Sequence, residues 1–282
     1  MRPAERPVIA RRMVLAAVGG VFLTTTTAAI IDKDKEKEAG HAAATDDRPS
    51  RATPSPRPAG HDKQNDSDKH AVPAPTQPAR PKSARPDYAT PMYYVDDGPK
   101  TIALTIDDGP SPVYTPEVLR ILSEYEITAS FSMVGRNVAA YPRVAREVTD
   151  AGHMVVNHTW DHGDLAQMTP AAVRDEIARA TDAIHTATGA APAMFRAPYG
   201  YWSSEVFRWC AQDRLQPLDW SVDPRDWARP GVRSIVKTVL KTTRTGSIIL
   251  EHDGGGNRSQ TVAALKIWLP RLINAGYRFT TP

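Results

Sequence analysis

The chain has 282 residues, of which 41% are hydrophobic and 24% are charged, so it has room for one or two folded domains. Its single cysteine, Cys210, excludes an intrachain disulfide. The net charge is +3, but residues 88–282 hold 20 basic against 21 acidic side chains, a net of −1, so the basic excess gives no argument for nucleic-acid binding.

Residues 1–31 have the layout of an export signal. A basic start with Arg2, Arg6, Arg11 and Arg12 precedes an uncharged run of 19 residues, 13–31. That run is close to the roughly 20 residues that a membrane span needs. A cleaved signal and an uncleaved membrane anchor therefore remain alternatives, and both predict an extracytoplasmic protein that is secreted or anchored.

Residues 32–87 are predicted to be a disordered linker. They contain nine prolines, many Asp, Lys, Ser and Ala residues, and no aromatic residue. Such a segment buries too little apolar surface to offset its chain entropy. We expect it to carry a folded domain away from the membrane and towards the cell wall.

Strand-like and helix-like segments alternate through residues 88–282, which we expect to form one domain. Seven short apolar segments predict strands: 101–106, 128–134, 153–157, 193–196, 216–221, 247–252 and 277–281. The clearest helix is 169–188, which starts at Thr169-Pro170 and stops before Gly189. This alternation predicts an α/β fold with a parallel sheet or barrel, whose ligands gather at the carboxyl ends of the strands.

The tetrapeptide Asp-Asp-Gly-Pro occurs twice near the first strand. Asp96-Asp97-Gly98-Pro99 precedes the strand and predicts a turn. Asp107-Asp108-Gly109-Pro110 follows the strand, where a site is expected. Adjacent side chains that leave a strand diverge, so we expect the two acids to do different jobs.

His158 and His162 are four residues apart, directly after the third predicted strand. If the backbone turns helically there, both imidazoles face the same way. Taken alone, this spacing is more often an unligated pair of histidines. Together with one strand-end aspartate it supplies two nitrogens and one oxygen, with coordination positions left for water and substrate.

Three more strand ends carry polar groups that a protein core would reject. Arg196 stands at the end of the fourth predicted strand, and His252-Asp253 stand at the end of the sixth. The segment around the end of the fifth predicted strand contributes Asp219, Asp223, Asp226 and Trp227. Any one of these groups can be a surface residue, but their repetition at strand ends predicts a shared site.

Five motifs in this order resemble those of the polysaccharide deacetylase family, also called the NodB-homology domain of carbohydrate esterases. They are Thr105-Ile106-Asp107-Asp108-Gly109, His158 through His162, Arg196-Ala197-Pro198-Tyr199, Asp223 through Asp226-Trp227, and Leu250-Glu251-His252. The departure is Ile106, where the family usually has Phe. The resemblance covers residues 101–282 and implies a distorted (β/α)7 barrel.

The resemblance also implies roles for individual residues. Asp108, His158 and His162 would hold one divalent metal ion, with zinc expected first and cobalt or nickel as substitutes. Asp107 would be the base, oriented by Arg196, and His252, held by Asp226, would be the acid. The backbone N–H of Tyr199 would stabilise the oxyanion. Tyr199, Trp227 and Leu250 would contact substrate, although core packing is the alternative for the last two.

The implied activity is metal-dependent hydrolysis of acetyl groups on a carbohydrate. For an exported enzyme the leading substrates are N-acetyl sugars of peptidoglycan, followed by chitin-type oligosaccharides and then by O-acetyl groups of a polymer such as xylan. An inactive sugar-binding relative is the alternative from another class. Metal-dependent phosphoryl transfer fits the two aspartates but not the two histidines.

Overall fold

The structure is a computed structural model that describes residues 87–282. The predicted export signal, the possible anchor at 13–31 and the predicted linker up to residue 86 lie outside these residues, so their boundaries remain predictions. In the described part of the chain, no helix combines the length and the apolarity needed to cross a membrane.

Strands and helices alternate along the described chain as the sequence predicts. The strands are β1 (Thr101–Asp107), β2 (Ser130–Met133), β3 (Met154–Asn157), β4 (Met194–Phe195), β5 (Gln216–Pro217), β6 (Ile248–His252) and β7 (Arg278–Thr280). The helices are α1 (Tyr114–Glu124), α2 (Gly135–Ala140), α3 (Pro142–Asp150), α4 (Pro170–Thr188), α5 (Ser204–Asp213), α6 (Val232–Thr242) and α7 (Ser259–Asn274).

The end signals of α4 act as predicted. The Thr169 hydroxyl accepts a hydrogen bond from the backbone N–H of Ala172 at 3.3 Å, and Pro170 occupies the first turn, where its missing N–H costs nothing. Gly189 ends the helix with a φ of 81°, a conformation that favours glycine.

All paired strands run parallel, in the order β5-β4-β3-β2-β1-β6, with β7 paired to the first residues of β1. The register aligns the carboxyl ends of the strands. Asp107 lies opposite His252, and Asn157 lies opposite Phe195. The residues that follow β3 and β4, His158 and Arg196, therefore leave the sheet at the same edge.

Isolated bridges connect the two ends of the sheet. Val222, which follows β5, pairs with Ile249 of β6. Met92 pairs with Leu218, and Tyr94 pairs with Ser247, so the segment before β1 also joins both ends. The sheet is thus curled into the distorted (β/α)7 barrel that the sequence predicts.

Side-chain alternation separates the core into an outer and an inner layer. Ile102, Leu104 and Ile106 of β1 belong to the main cluster, which packs the sheet against the helices. Ala103 belongs to a smaller cluster on the opposite face of β1. Because successive strand residues face opposite ways, Asp107 lies on the inner face with Ala103.

Candidate active site

The two Asp-Asp-Gly-Pro copies occupy different environments, as predicted. Asp96 and Asp97 are exposed in a turn before β1, where the Asp97 carbonyl accepts from the Thr101 hydroxyl at 2.9 Å. Asp107 is 3% exposed at the carboxyl end of β1. Only the second copy lies at the edge of the sheet where the other polar strand ends meet.

Asp107 and Asp108 diverge less than the sequence predicts. Oδ2 of Asp107 and Oδ1 of Asp108 lie 3.8 and 3.6 Å from the same atom, Nε2 of His158. The reason is a positive φ of 73° at Asp108, which interrupts the alternation of the strand. Both acids therefore reach one site, although their other partners differ.

Arg196 holds Asp107. Its Nη1 donates to Oδ1 of Asp107 at 2.7 Å and to the Thr105 hydroxyl at 2.8 Å. Its Nη2 donates to the backbone carbonyl of Asp219 at 2.9 Å. The guanidinium is fully buried, so these charge-assisted bonds orient the Asp107 carboxylate and leave its Oδ2 towards His158.

The tautomer of His158 follows from its neighbours. Nδ1 lies 2.8 Å from the carbonyl oxygen of Arg196, which can only accept, so Nδ1 carries the proton. Nε2 is then left with its lone pair turned towards Asp107 and Asp108. A histidine whose second nitrogen is fixed by a carbonyl is the usual arrangement of a metal ligand.

The segment from His158 to His162 is a loop, so the helical turn considered from the sequence does not occur. Thr159 and His162 have φ values of 66° and 65°, and the Thr159 hydroxyl accepts from the backbone N–H of His162 at 3.0 Å. This bend still turns both imidazoles inwards, and their ring centroids are 4.9 Å apart.

Asp108, His158 and His162 form a set that fits a metal ion. One ligand atom from each lies within 4.8 Å of the other two. Oδ1 of Asp108 is 3.1 Å from Nε2 of His162, is buried and has no hydrogen-bond partner within residues 87–282. A buried carboxylate oxygen converging with two imidazole nitrogens is the donor set of a site for zinc or a similar cation.

Electrostatics favour an ionised Asp108. Burial by itself would raise its pKa, but the nearby imidazoles of His158, His162 and His252 outweigh burial and hold that pKa well below its usual range. Asp108 is therefore available as a carboxylate ligand across the range of pH in which proteins work.

His252 and Asp226 form a second, buried pair. Nδ1 of His252 lies 2.7 Å from Oδ1 of Asp226, while Oδ2 of Asp226 accepts from the His252 backbone N–H at 2.9 Å and from the Thr261 hydroxyl at 2.6 Å. Burial would lower the pKa of His252, but Asp226 outweighs it and raises that pKa to about 9. The imidazole is thus held as a proton donor.

Tyr199 lies at the rim with an unused backbone donor. Its φ is 62°, its side chain is 57% exposed, and its ring centroid is 4.9 Å from that of His162. Within the described chain its backbone N–H has no acceptor, whereas the N–H groups of Gly200 and Tyr201 are both used. The predicted oxyanion donor is therefore free.

The chain that carries this site is similar to known proteins. A family model described as "Polysaccharide deacetylase" matches residues 94–217. A chitooligosaccharide deacetylase of Bradyrhizobium sp. is 42% identical over 205 residues, which cover 68% of this chain and 94% of the relative. A peptidoglycan-N-acetylglucosamine deacetylase of Bacillus cereus is 42% identical over 191 residues, covering 67% and 89%. The chain belongs to the polysaccharide deacetylase family.

Membership in the polysaccharide deacetylase family agrees with the fold. The crystal structure of a peptidoglycan N-acetylglucosamine deacetylase matches with a TM-score of 0.65 at 30% identity, covering 67% of this chain and 89% of that one. The family match ends at residue 217, before Asp226 and His252. Their place in the site follows from the structure, because the strand register sets His252 opposite Asp107 and Asp226 contacts the His252 ring.

The two predicted pocket residues have different environments. Leu250 is 3% exposed and lies on the same face of β6 as His252, because alternate strand residues share a face. Trp227 is 37% exposed, with the Arg225 guanidinium 4.9 Å from its ring centroid. Their proposed substrate contacts remain predictions.

Two residues that the sequence analysis did not single out support the metal set. Oε2 of Glu176 accepts from the backbone N–H groups of Trp160 and Asp161 at 2.9 and 3.0 Å. Nη2 of Arg258 lies 3.6 Å from Oδ2 of Asp108. The sequence could have pointed to Glu176, because this acid lies on the apolar face of the predicted helix beside Ile177. Arg258 had none.

Proposed function

We propose that this protein is an extracytoplasmic, metal-dependent deacetylase that hydrolyses N-acetyl groups of amino sugars in a polysaccharide or oligosaccharide. The observation that carries the proposal is the placement of Asp107. Arg196 holds one of its oxygens, and the other faces the Asp108–His158–His162 set. A fixed carboxylate beside a divalent-cation site is the arrangement that hydrolysis of an acetamide requires.

The attack begins on the inner face of the barrel. Asp108, His158 and His162 would hold a divalent cation, which when bound would polarise the acetyl carbonyl and make a nearby water more acidic. Oδ2 of Asp107 accepts a proton from that water as its oxygen bonds to the carbonyl carbon. Arg196 keeps the Asp107 carboxylate in place for this step.

Collapse of the tetrahedral intermediate uses the opposite side of the site. The backbone N–H of Tyr199 is available to stabilise the negative oxygen of the intermediate. His252 donates its proton to the sugar nitrogen as the C–N bond breaks, and Asp226 stabilises the imidazolium until then. The products are acetate and a sugar with a free amine.

Peptidoglycan is the substrate that we propose first, with chitin-type oligosaccharides second. Two relatives, each 42% identical, are named for these two substrate classes. The predicted export signal or anchor at residues 1–31 and the predicted linker at 32–87 favour a polymer outside the cytoplasm. Nothing in the barrel itself distinguishes the two sugars.

Two other functions are the alternatives to this proposal. An O-acetyl esterase would use the same base, acid and cation on an acetylated polymer such as xylan. An inactive carbohydrate-binding relative would need no base, and the intact contact between Asp107 and Arg196 argues against it.

Acetate release separates these functions. The full-length protein, loaded with zinc, would be assayed on peptidoglycan, on chitin oligomers and on acetylxylan. We expect release from one of the first two and little from acetylxylan. Release from acetylxylan alone would favour the esterase, and sugar binding without release from any substrate would favour the inactive relative.

A further inference from the structure

The acid that precedes His252 in the chain has no role in the function described so far. Glu251 is fully buried on the outer face of β6, which packs against α7. Its Oε1 accepts a hydrogen bond from Nε1 of Trp268 at 3.1 Å. Its Oε2 is buried and has no hydrogen-bond donor within residues 87–282.

An ionised carboxylate is untenable in this position. Within the described chain no lysine, arginine or histidine forms an ion pair with Glu251, and one indole N–H cannot replace the hydration of a full negative charge. The acid that acts most strongly on Glu251 is Asp226, which already carries the charge that holds His252. Two adjacent carboxylates in a dry site share one proton between them.

That proton belongs on Glu251. Asp226 receives three hydrogen bonds, from the His252 ring, the His252 backbone and Thr261, and these stabilise its charge. Glu251 receives one, from a neutral group. Burial, followed by the charge of Asp226 and a hydrogen bond with it, raises the pKa of Glu251 well above its usual range, whereas the pKa of Asp226 is lowered.

We propose that Glu251 is a positioning residue that keeps its own proton and donates it in a hydrogen bond to the Asp226 carboxylate, which limits how basic the Asp226–His252 pair becomes. The inference deepens the proposed function and rests on it, because it assigns a second support to the acid of that reaction. Trp268, Glu251, Asp226 and His252 then form one chain of hydrogen bonds from α7 to the inner face of the barrel.

Four further acids interact with His252. Asp107 and Asp108 approach His252 from β1, and Asp223 and Asp253 approach it from the loops on either side. With so many acids nearby, a further negative charge on Glu251 would make His252 too weak an acid to protonate the leaving amine. A neutral Glu251 adds no such charge. Its hydrogen bond to the Asp226 carboxylate also weakens the attraction between Asp226 and the His252 imidazolium.

The test compares Glu251→Gln with Glu251→Leu in the full-length, zinc-loaded protein. Glutamine keeps a donor for Asp226 and an acceptor for Trp268, but it cannot ionise. Leucine removes both polar groups at similar size. Glu117→Gln, in the first turn of α1, is the control for the loss of a distant glutamate.

The main readout is kcat/KM for acetate release as a function of pH, which reports the ionisations of the free enzyme. We expect Glu251→Gln to keep the wild-type profile within about twofold. In Glu251→Leu, Asp226 loses a donor and holds the imidazolium more strongly. The alkaline limb of the Glu251→Leu profile should therefore move up by about one pH unit. The plateau rate of this variant should fall, because His252 is a weaker acid.

Two results would overturn the proposal. A downward shift of the alkaline limb in Glu251→Gln would mean that wild-type Glu251 is ionised. An unchanged profile in a folded Glu251→Leu would mean that the residue only fills space. If Glu251→Leu does not fold, the profile of Glu251→Gln decides.

Infrared difference spectroscopy of the wild type against Glu251→Gln gives a second readout without turnover. We expect it to show the carbonyl stretch of a protonated carboxylic acid at neutral pH, and a missing band would contradict the proposal. Because this readout needs no substrate, it separates a failure of this inference from a failure of the proposed function, which would appear as no acetate release by the wild type.

Discussion

Four residues that surround the site have left-handed backbone conformations. Asp108, Thr159, His162 and Tyr199 have φ values of 73°, 66°, 65° and 62°. Each such conformation costs a non-glycine residue about 1–2 kcal/mol. At these positions the bend turns a side chain or an N–H towards the site. At Asp108, for example, it interrupts the alternation of β1 and brings the carboxylate to the site.

The two Asp-Asp-Gly-Pro copies give a matched pair of substitutions. Asp107→Asn should keep bound zinc and lower the rate of acetate release by roughly 10²–10⁴-fold, because an amide cannot accept a proton from water. Asp97→Asn should leave turnover unchanged, since asparagine also suits a turn. Zinc content and acetate release of both purified variants check this. Equal damage from Asp97→Asn, with the fold intact, would refute the assignment.

The metal set predicts a joint loss of metal and activity. His158→Ala and His162→Ala should each reduce bound zinc and abolish acetate release, because two ligands hold the ion less well than three. His185→Ala, on the exposed face of α4, is the control and should change neither. Elemental analysis together with the acetate assay is the measurement. Full zinc occupancy in both ligand variants would exclude this site.

The His252–Asp226 pair predicts a dependence of stability on pH. The pKa of His252 rises from 6.5 to about 9 on folding, so the folded state holds its proton more tightly than the unfolded chain does. The stability from this pair is fully present below about pH 6.5 and is lost as pH rises through about 9. The Tm difference between wild type and His252→Gln, in chelator, should shrink over that range. A constant difference would contradict the raised pKa.

At the scale of elements, α4 holds the loop that carries both histidines. Glu176 accepts two backbone N–H groups of the loop, and the Asn157 side chain, at the end of β3, donates to the carbonyl of Ile177 at 2.8 Å. The Arg179 guanidinium lies 4.1 Å from the ring centroid of Trp160. Four contacts thus connect one helix to this loop and to the strand end that precedes it.

Glu176 should therefore affect metal affinity without touching the metal. Glu176→Ala leaves two loop N–H groups unpaired, and we expect zinc affinity to fall about 10–100-fold. Glu176→Gln keeps an acceptor oxygen and should restore most of that affinity. Asp182→Ala, on the exposed face of the same helix, is the control. Competition with a chelator measures the affinities, and equal affinity in all three variants would show that the loop needs no support.

At the scale of the whole molecule, the site is built within residues 87–282, and the preceding residues are predicted to decide where it works. All the proposed ligands, the base and the acid come from the curled sheet and its loops. The predicted signal or anchor and the predicted linker add no side chain to this chemistry. Their proposed role is to place the barrel beside an extracellular polymer.

Location is therefore a separate prediction. Cell fractionation should find the full-length protein in the membrane, wall or medium. Val18→Lys with Leu23→Lys puts two charges into the apolar run and should retain the protein in the cytoplasm, because charged residues oppose membrane insertion. Thr25→Ser is the matched control. A cytoplasmic pool of unaltered full-length protein would contradict the proposed export.

The sequence by itself determined the seven strands, the limits of α4 and the position of the second Asp-Asp-Gly-Pro copy at a strand end. These features depend on local patterns: alternation, capping residues and position relative to a strand. Tertiary structure alone decided that the histidine segment is a loop, that Asp107 and Asp108 reach one histidine, and that Glu176, Arg258 and Glu251 support the site. These contacts join residues far apart in the chain. They arise only when the sheet curls and its register brings the strand ends together, because no local pattern records which distant group fills a buried hydrogen bond.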